Sequence, residues 1–236
     1  MNVGRDGVVY YCRRPKEVDW NEHEVAVNML KRGFLDFFQT KFREEDVMRR
    51  EYGKPYYEAN SNLKFNMSHC RGGVAVVLSD REVGIDVESM RRVSSRTIKK
   101  CCSDEEIDYV FGTWVDSQNE ISSEHSFMLS KQGGREENNI LQDAETKRFL
   151  TLWTLKESYV KMTGEGLRTS FDQVCFLPSD LQKIKEKEAK EIKGFNENGR
   201  SYLYVAKDLI LALTVQWGDG KRVPDFVWKE ISAEWD

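Results

Sequence analysis

Within the stretch VGIDVES, Val83 to Ser89, two acids stand two residues apart, Asp86 and Glu88. In a strand alternate side chains share a face, so Val83, Ile85 and Val87 point one way and Gly84, Asp86 and Glu88 the other. Two carboxylates about 7 Å apart repel each other unless water or a cation screens them. Magnesium suits such a pair, because it takes one or two carboxylates together with phosphate oxygens. A half-exposed strand with a wet outer face gives the same pattern, and taken alone that is the commoner cause.

A second constellation lies in LWTLKESYVKMTGEGL, Leu152 to Leu167. On a helix Leu152, Leu155, Tyr159 and Met162 form an apolar stripe, while Trp153, Glu157 and Lys161 form another. A surface pair between Glu157 and Lys161 would contribute only about 0.3–0.5 kcal/mol. Trp153 adds a large apolar surface to the same stripe, which suits a helix packed on two sides. Lys156 falls at the edge of the apolar stripe and must snorkel or find a partner. In FNMSHC, Asn66 and Ser68 share a polar face. His69 follows them, and a lone histidine is more often a structural hydrogen bonder than a catalyst. Lys54 sits in GKP, a turn in which most lysines are merely exposed.

These residues need elements to hold them. GVVYYC, Gly7 to Cys12, predicts a strand, and Asn21 to Phe38 predicts a helix with Val25, Met29 and Phe37 or Phe38 along one face. Three strands follow, within LKFNMSH, GVAVVLS and VGIDVE. Their brief turns predict an antiparallel meander, since parallel pairing needs long crossovers. Residues 94–115 predict two short helices, with Ser103 to Glu106 also readable as a capping box. Asp116 to Lys147 is polar and aperiodic, and predicts a flexible insertion. A helix from Lys147 should end at Gly164. Strands are expected at Val174–Leu177, Tyr202–Ala206 and Ile210–Gln216, and a solvated charged element at Leu181–Lys193. The fold class is α+β, in two halves, 1–90 and 91–236, the second carrying the insertion at about 116–147.

The chain has 236 residues, 39% hydrophobic and 32% charged, which is enough for one large or two small soluble domains. No run of about 18 apolar residues exists, so no membrane helix is expected. The start, MNVGRDGVVYYCRRP, lacks the order of a signal peptide. Five cysteines, two of them adjacent at Cys101 and Cys102, lack metal spacing and suit reduced thiols in the cytoplasm. A net charge of −4 argues against nucleic acid as a main partner. No glycine-rich phosphate loop of the G-x-x-x-x-G-K-[ST] kind occurs.

In this order, YGKPYY, FNMSHC, VGIDVE and LWTLKESYVKMTGEGL resemble the 4′-phosphopantetheinyl transferases of the surfactin-synthetase-activating type. The match runs from Tyr52 to Leu167, and the last segment is its most specific part. The resemblance implies two similar α+β halves related by a pseudo-twofold, with the active site between them, and a monomer that suffices. It implies that a serine of an apo acyl or peptidyl carrier protein attacks the β-phosphate of coenzyme A, with magnesium, releasing 3′,5′-ADP. Fatty-acid, polyketide and non-ribosomal peptide carriers all remain open.

By the same resemblance Asp86, Glu88 and Glu157 are magnesium ligands, with Lys161 on the phosphates and Lys156 at the phosphate end. Lys54, Ser68 and His69 match positions holding the adenine, ribose and phosphate portion, with Asp86 also at the coenzyme. Glu157 or a metal-bound water would take the serine proton, and Glu106 matches a further acid near the reactive lysine. The segment before Asn21 is short for the family, leaving Arg13, Arg14 and Lys16 as candidates to grip the coenzyme's 3′-phosphate. Arg91, Arg92, Arg96, Lys99 and Lys100 could steer an acidic carrier, although a solvated basic helix reads the same way. Two alternatives stand beside this reading. One is a non-catalytic module that binds coenzyme A or a carrier, and the other is a different magnesium-dependent phosphoryl or nucleotidyl transferase.

Overall fold

The computed structural model describes residues 5–16, 20–114, 140–182, 184–194, 198–217 and 222–232. Strand β1 (Gly7–Arg13) leads into helix α1 (Glu22–Phe38), whose first N–H groups are capped by the Asn21 side chain. A short hairpin, β2 (Val47–Arg49) with β3 (Pro55–Tyr57), turns through Gly53. Then come β4 (Lys64–Cys70), β5 (Gly73–Ser79) and β6 (Val83–Ser89). Helices α2 (Ser95–Cys101) and α3 (Asp104–Phe111) precede the long helix α4 (Asp143–Thr163). Strands β7 (Lys190–Ile192), β8 (Gly199–Ala206), β9 (Leu209–Gln216) and β10 (Phe226–Glu230) follow.

Two four-stranded sheets form, ordered β10-β1-β5-β4 and β6-β9-β8-β7. Helix α1 covers one face of the first around Met29, Leu30 and Phe34. Helix α4 covers one face of the second around Leu152, Leu155 and Leu203. The opposite faces meet in a third apolar layer, Val9, Tyr11, Ala75 and Val77 against Val83, Ile85, Leu211 and Leu213. The expected α+β class holds, and each sheet carries one long helix.

The expected meander does not form. β5 is apolar on both faces and central, with β1 along one edge and β4 along the other, so no edge is left for β6. β6 instead pairs antiparallel with β9, Asp86 opposite Ala212. It also runs beside β4, where side chains rather than a ladder join them. Asn66 Oδ1 accepts the Ile85 N–H at 3.0 Å, and Ser68 Oγ accepts the Val87 N–H at 3.4 Å.

A division at residue 90 does not follow the sheets, because β6 belongs to the second sheet while β10 returns to pair parallel with β1. Most of the expected insertion lies outside the described residues. Its end does not remain loop, for Leu141 N–H bonds the Val93 carbonyl and α4 begins at Asp143. Val174–Leu177 is not a strand; Phe176 makes only an isolated bridge to Gly194. The stretch expected to be a solvated charged element contains β7. Among the described residues no helix is long and apolar enough to cross a membrane, and all five cysteines are free.

Candidate active site

Gly84 decides where the two constellations meet. A β-carbon there would lie 2.1 Å from the Ser158 carbonyl oxygen and 2.2 Å from the Met162 nitrogen, so α4 rests directly on the β6 backbone. On the same β6 face, two residues further on, Asp86 therefore comes under the helix side that bears Glu157 and Lys161. Lys161 Nζ donates to Asp86 Oδ1 at 2.6 Å and to Ser68 Oγ at 3.0 Å, and Ser68 Oγ donates to the same Asp86 oxygen at 2.8 Å.

Asp86 is only 5% exposed, not on the wet face of a half-exposed strand. Burial pushes its carboxyl up, against the opposing pull of Lys161 and Ser68. Glu157 is half-buried, and its carboxyl is also pushed up, first by burial and then by the Asp86 charge, with Lys161 opposing. Glu88 receives a two-point bond from Arg91, Nε at 3.1 Å and Nη2 at 2.9 Å.

A cleft of about 300 Å³ opens beside this cluster. It is lined by Tyr52, Gly53, Lys54 and Pro55 of the loop into β3, by Asn66 and Met67 of β4, and by Glu157, Lys161 and Gly164 of α4 and its end. Phe171 also lines it, stacked on Trp153 with centroids 5.0 Å apart and planes 11° apart. That stacking accounts for the apolar residue on the Glu157 stripe.

Several expected site residues lie away from the cleft or have their charged ends already engaged. Lys156 is fully buried, with Nζ on Glu106 Oε2 at 2.7 Å and on the carbonyls of Phe171 and Val174 at 2.8 and 2.6 Å. Glu106 also accepts the Ser103 and Phe176 N–H groups. Neither is left to touch a phosphate or a reacting lysine; they form an internal ion pair, and Ser103 to Glu106 is a capping box. His69 is exposed on the β4 face opposite Asn66 and Ser68 and is not among the cleft-lining residues. The Lys54 ammonium is taken up by Glu82 Oε2 at 2.7 Å and the Met162 carbonyl at 2.6 Å, although Lys54 lines the cleft. Arg13 is paired with Glu230 at 2.7 Å.

The three expected magnesium ligands do not stand as a ready-made cage. Among the described residues no three acidic, cysteine or histidine side chains are gathered closely enough to hold a metal ion. Lys161 covers one oxygen of Asp86, and Arg91 holds both oxygens of Glu88. The donor set nevertheless fits a hard cation. Among the described residues Asp86 Oδ2 is buried with no hydrogen-bond partner, and besides burial the Glu88 charge pushes up the carboxyls of both Asp86 and Glu157.

Residues 82–214 match the family model described as the 4′-phosphopantetheinyl transferase superfamily. The chain belongs to this superfamily. The matched span takes in β6 and α4, the elements that bring Asp86, Glu157 and Lys161 together, and most of β9. A 4′-phosphopantetheinyl transferase of Bacillus subtilis is 28% identical over 123 residues, covering 52% of this chain and 43% of the relative. The 4′-phosphopantetheinyl transferase gsp of Aneurinibacillus migulanus is 27% identical over 143 residues, covering 61% and 48%. The L-aminoadipate-semialdehyde dehydrogenase-phosphopantetheinyl transferase of Saccharomyces cerevisiae is 29% identical over 152 residues, covering 59% and 46%. The chain thus spans under half the length of each of these phosphopantetheinyl transferases.

Sequence reasoning missed Asn66, Glu82 and Phe171. Asn66 was within reach, because its alternation with Ser68 already put both on one face of β4. Phe171 and Glu82 carry no local pattern; only tertiary packing brings Phe171 to the cleft and Glu82 to the Lys54 ammonium.

Proposed function

We propose that this chain transfers the 4′-phosphopantetheine arm of coenzyme A to a serine of an apo acyl or peptidyl carrier protein, releasing 3′,5′-ADP. The observation that carries the reading is that Glu157 and Lys161 line one cleft, with Asp86 buried beside them and bonded to Lys161, in a chain of this superfamily.

In the proposed reaction the serine oxygen bonds to the β-phosphorus of coenzyme A, and the bond from that phosphorus to the bridging oxygen of the α-phosphate breaks. Glu157, half-buried and with no hydrogen bond from its side chain among the described residues, takes the serine proton. The Lys161 ammonium meets the departing phosphate as a mobile point charge and can donate a proton to it. Its present hold on Asp86 and Ser68 keeps it at the cleft before substrate arrives. Asp86, Glu88 and Glu157 would hold the magnesium ion, whose contribution when bound is to neutralise charge on the diphosphate. Tyr52, Lys54 and Pro55 form the wall against which the adenosine end would lie.

Arg92, Arg96, Lys99 and Lys100 are all exposed beside the β6 exit and serve, in this reading, to steer the acidic carrier. Arg91 is already engaged by Glu88 and contributes less. The test mixes the protein, magnesium, coenzyme A and an apo carrier, and weighs the carrier. A mass gain of one phosphopantetheine is expected. Binding of coenzyme A with no gain across a panel of apo carriers overturns the proposal in favour of a binding module.

A further inference from the structure

We infer that Glu82, which lies outside the proposed reacting groups, is a positioning residue that sets the coenzyme wall of the cleft by clamping Lys54; the inference rests on the transferase reading. Glu82 receives three cations, with Arg50 Nη2 at 2.6 Å, Lys54 Nζ at 2.7 Å and Lys64 Nζ at 2.9 Å. The Lys54 side chain is 5% exposed, and its other bond goes to the Met162 carbonyl in the last turn of α4. One carboxylate therefore ties together the loop before β3, the start of β4 and the end of α4.

The stem of Lys54 lies against Gly164. A β-carbon there would sit 2.9 Å from Lys54 Cδ, and Gly164 has φ +76°, so glycine serves both the helix end and the contact. A second tie joins the same two segments, because the Arg168 guanidinium lies 4.6 Å from the Tyr52 ring centroid. Both this loop and the helix that bears Glu157 and Lys161 line the cleft. The clamp fixes the separation between them.

A lysine this buried, left with one carbonyl, would be an uncompensated charge and would pull out toward water. Glu82 is what allows Lys54 to stay. Neither group touches the reacting atoms, so loss of Glu82 should weaken coenzyme binding and spare the chemical step once the site is filled.

The experiment compares Glu82→Gln, Glu82→Asp and the milder Lys64→Met with the unaltered protein. Coenzyme A affinity is measured by calorimetry, KM and kcat with an apo carrier, and hydrogen exchange by residue. In Glu82→Gln, coenzyme A affinity should fall about tenfold and KM rise to match, with kcat within about twofold. The Arg50 and Gly53 amides, which close this loop onto Lys54 and Arg50, should exchange faster while those of β5 and β9 do not. Glu82→Asp should recover part of the affinity, and Lys64→Met should show the same pattern at smaller size even if Glu82→Gln fails to fold. Loop exchange and coenzyme affinity unchanged in every variant that folds, or protection lost evenly across all strands, overturns the inference. If the unaltered protein does not bind coenzyme A, the transferase reading falls, and the exchange pattern alone still decides the clamp.

Discussion

Asp86 carries the sharpest conflict between folding and function. Burial raises its carboxyl, so the folded state favours the protonated form, and keeping the charge at neutral pH costs stability. Asp86→Asn keeps the shape and removes that cost, while Lys161, with a side chain 28% exposed, can turn to water. Melting of this variant should stay within about 1 kcal/mol of the original or rise, while transfer falls about a hundredfold or more. A large loss of stability would mean that the charge is structural. Lys156 behaves in the opposite way. Lys156→Met leaves Glu106 buried without its cation and should cost about 3–5 kcal/mol by denaturant titration, with Glu106→Gln added to it restoring part.

At the scale of elements, the crossing of α4 on β6 does the positioning, and Gly84 permits it. Gly84→Ala puts a methyl group into the helix backbone, which cannot move aside as a flexible side chain would. A loss of about 2 kcal/mol or more is expected, together with most of the transfer activity, because Glu157 and Lys161 move off Asp86 as a unit. Much of this level was legible in the sequence. Strand period placed Gly84, Asp86 and Glu88 on one face, and helix period placed Trp153, Glu157 and Lys161 on another. Partnership was not legible. Lys156 and Lys161 are both lysines of one helix, yet one is sealed inside with Glu106 and the other reaches the cleft. Only the positions of α3 and the Phe171–Val174 segment decide between them. The assignment of β6 to the second sheet was likewise hidden, since the edges of β5 are filled by strands far apart in sequence.

For the whole molecule, charge acts at two ranges. Around Glu82 burial pushes the carboxyl up, but Lys54, Lys64 and Arg50 outweigh it and hold it down at about 2. Burial lowers the Lys54 ammonium in turn, so the net strength of the clamp is well below what Glu82 alone suggests. With a folded value below the ordinary 4.5, the Glu82 contribution is complete above about pH 4.5 and drains away as pH falls toward 2. Acid titration of Glu82→Gln should therefore converge with the original protein at the bottom of that window and diverge above it. At longer range, Arg96→Glu with Lys99→Glu should slow carrier modification and weaken its salt dependence while coenzyme A affinity stays unchanged. Equal carrier kinetics would remove that surface from the reading.

The return of β10 to the side of β1 bears on how the protein is made. Until Phe226–Glu230 leaves the ribosome, β1 offers an open row of N–H and C=O groups beside its tyrosines. The first sheet is complete only after every strand of the second has been synthesised, so the growing chain carries a sticky margin open to wrong pairing or to a chaperone.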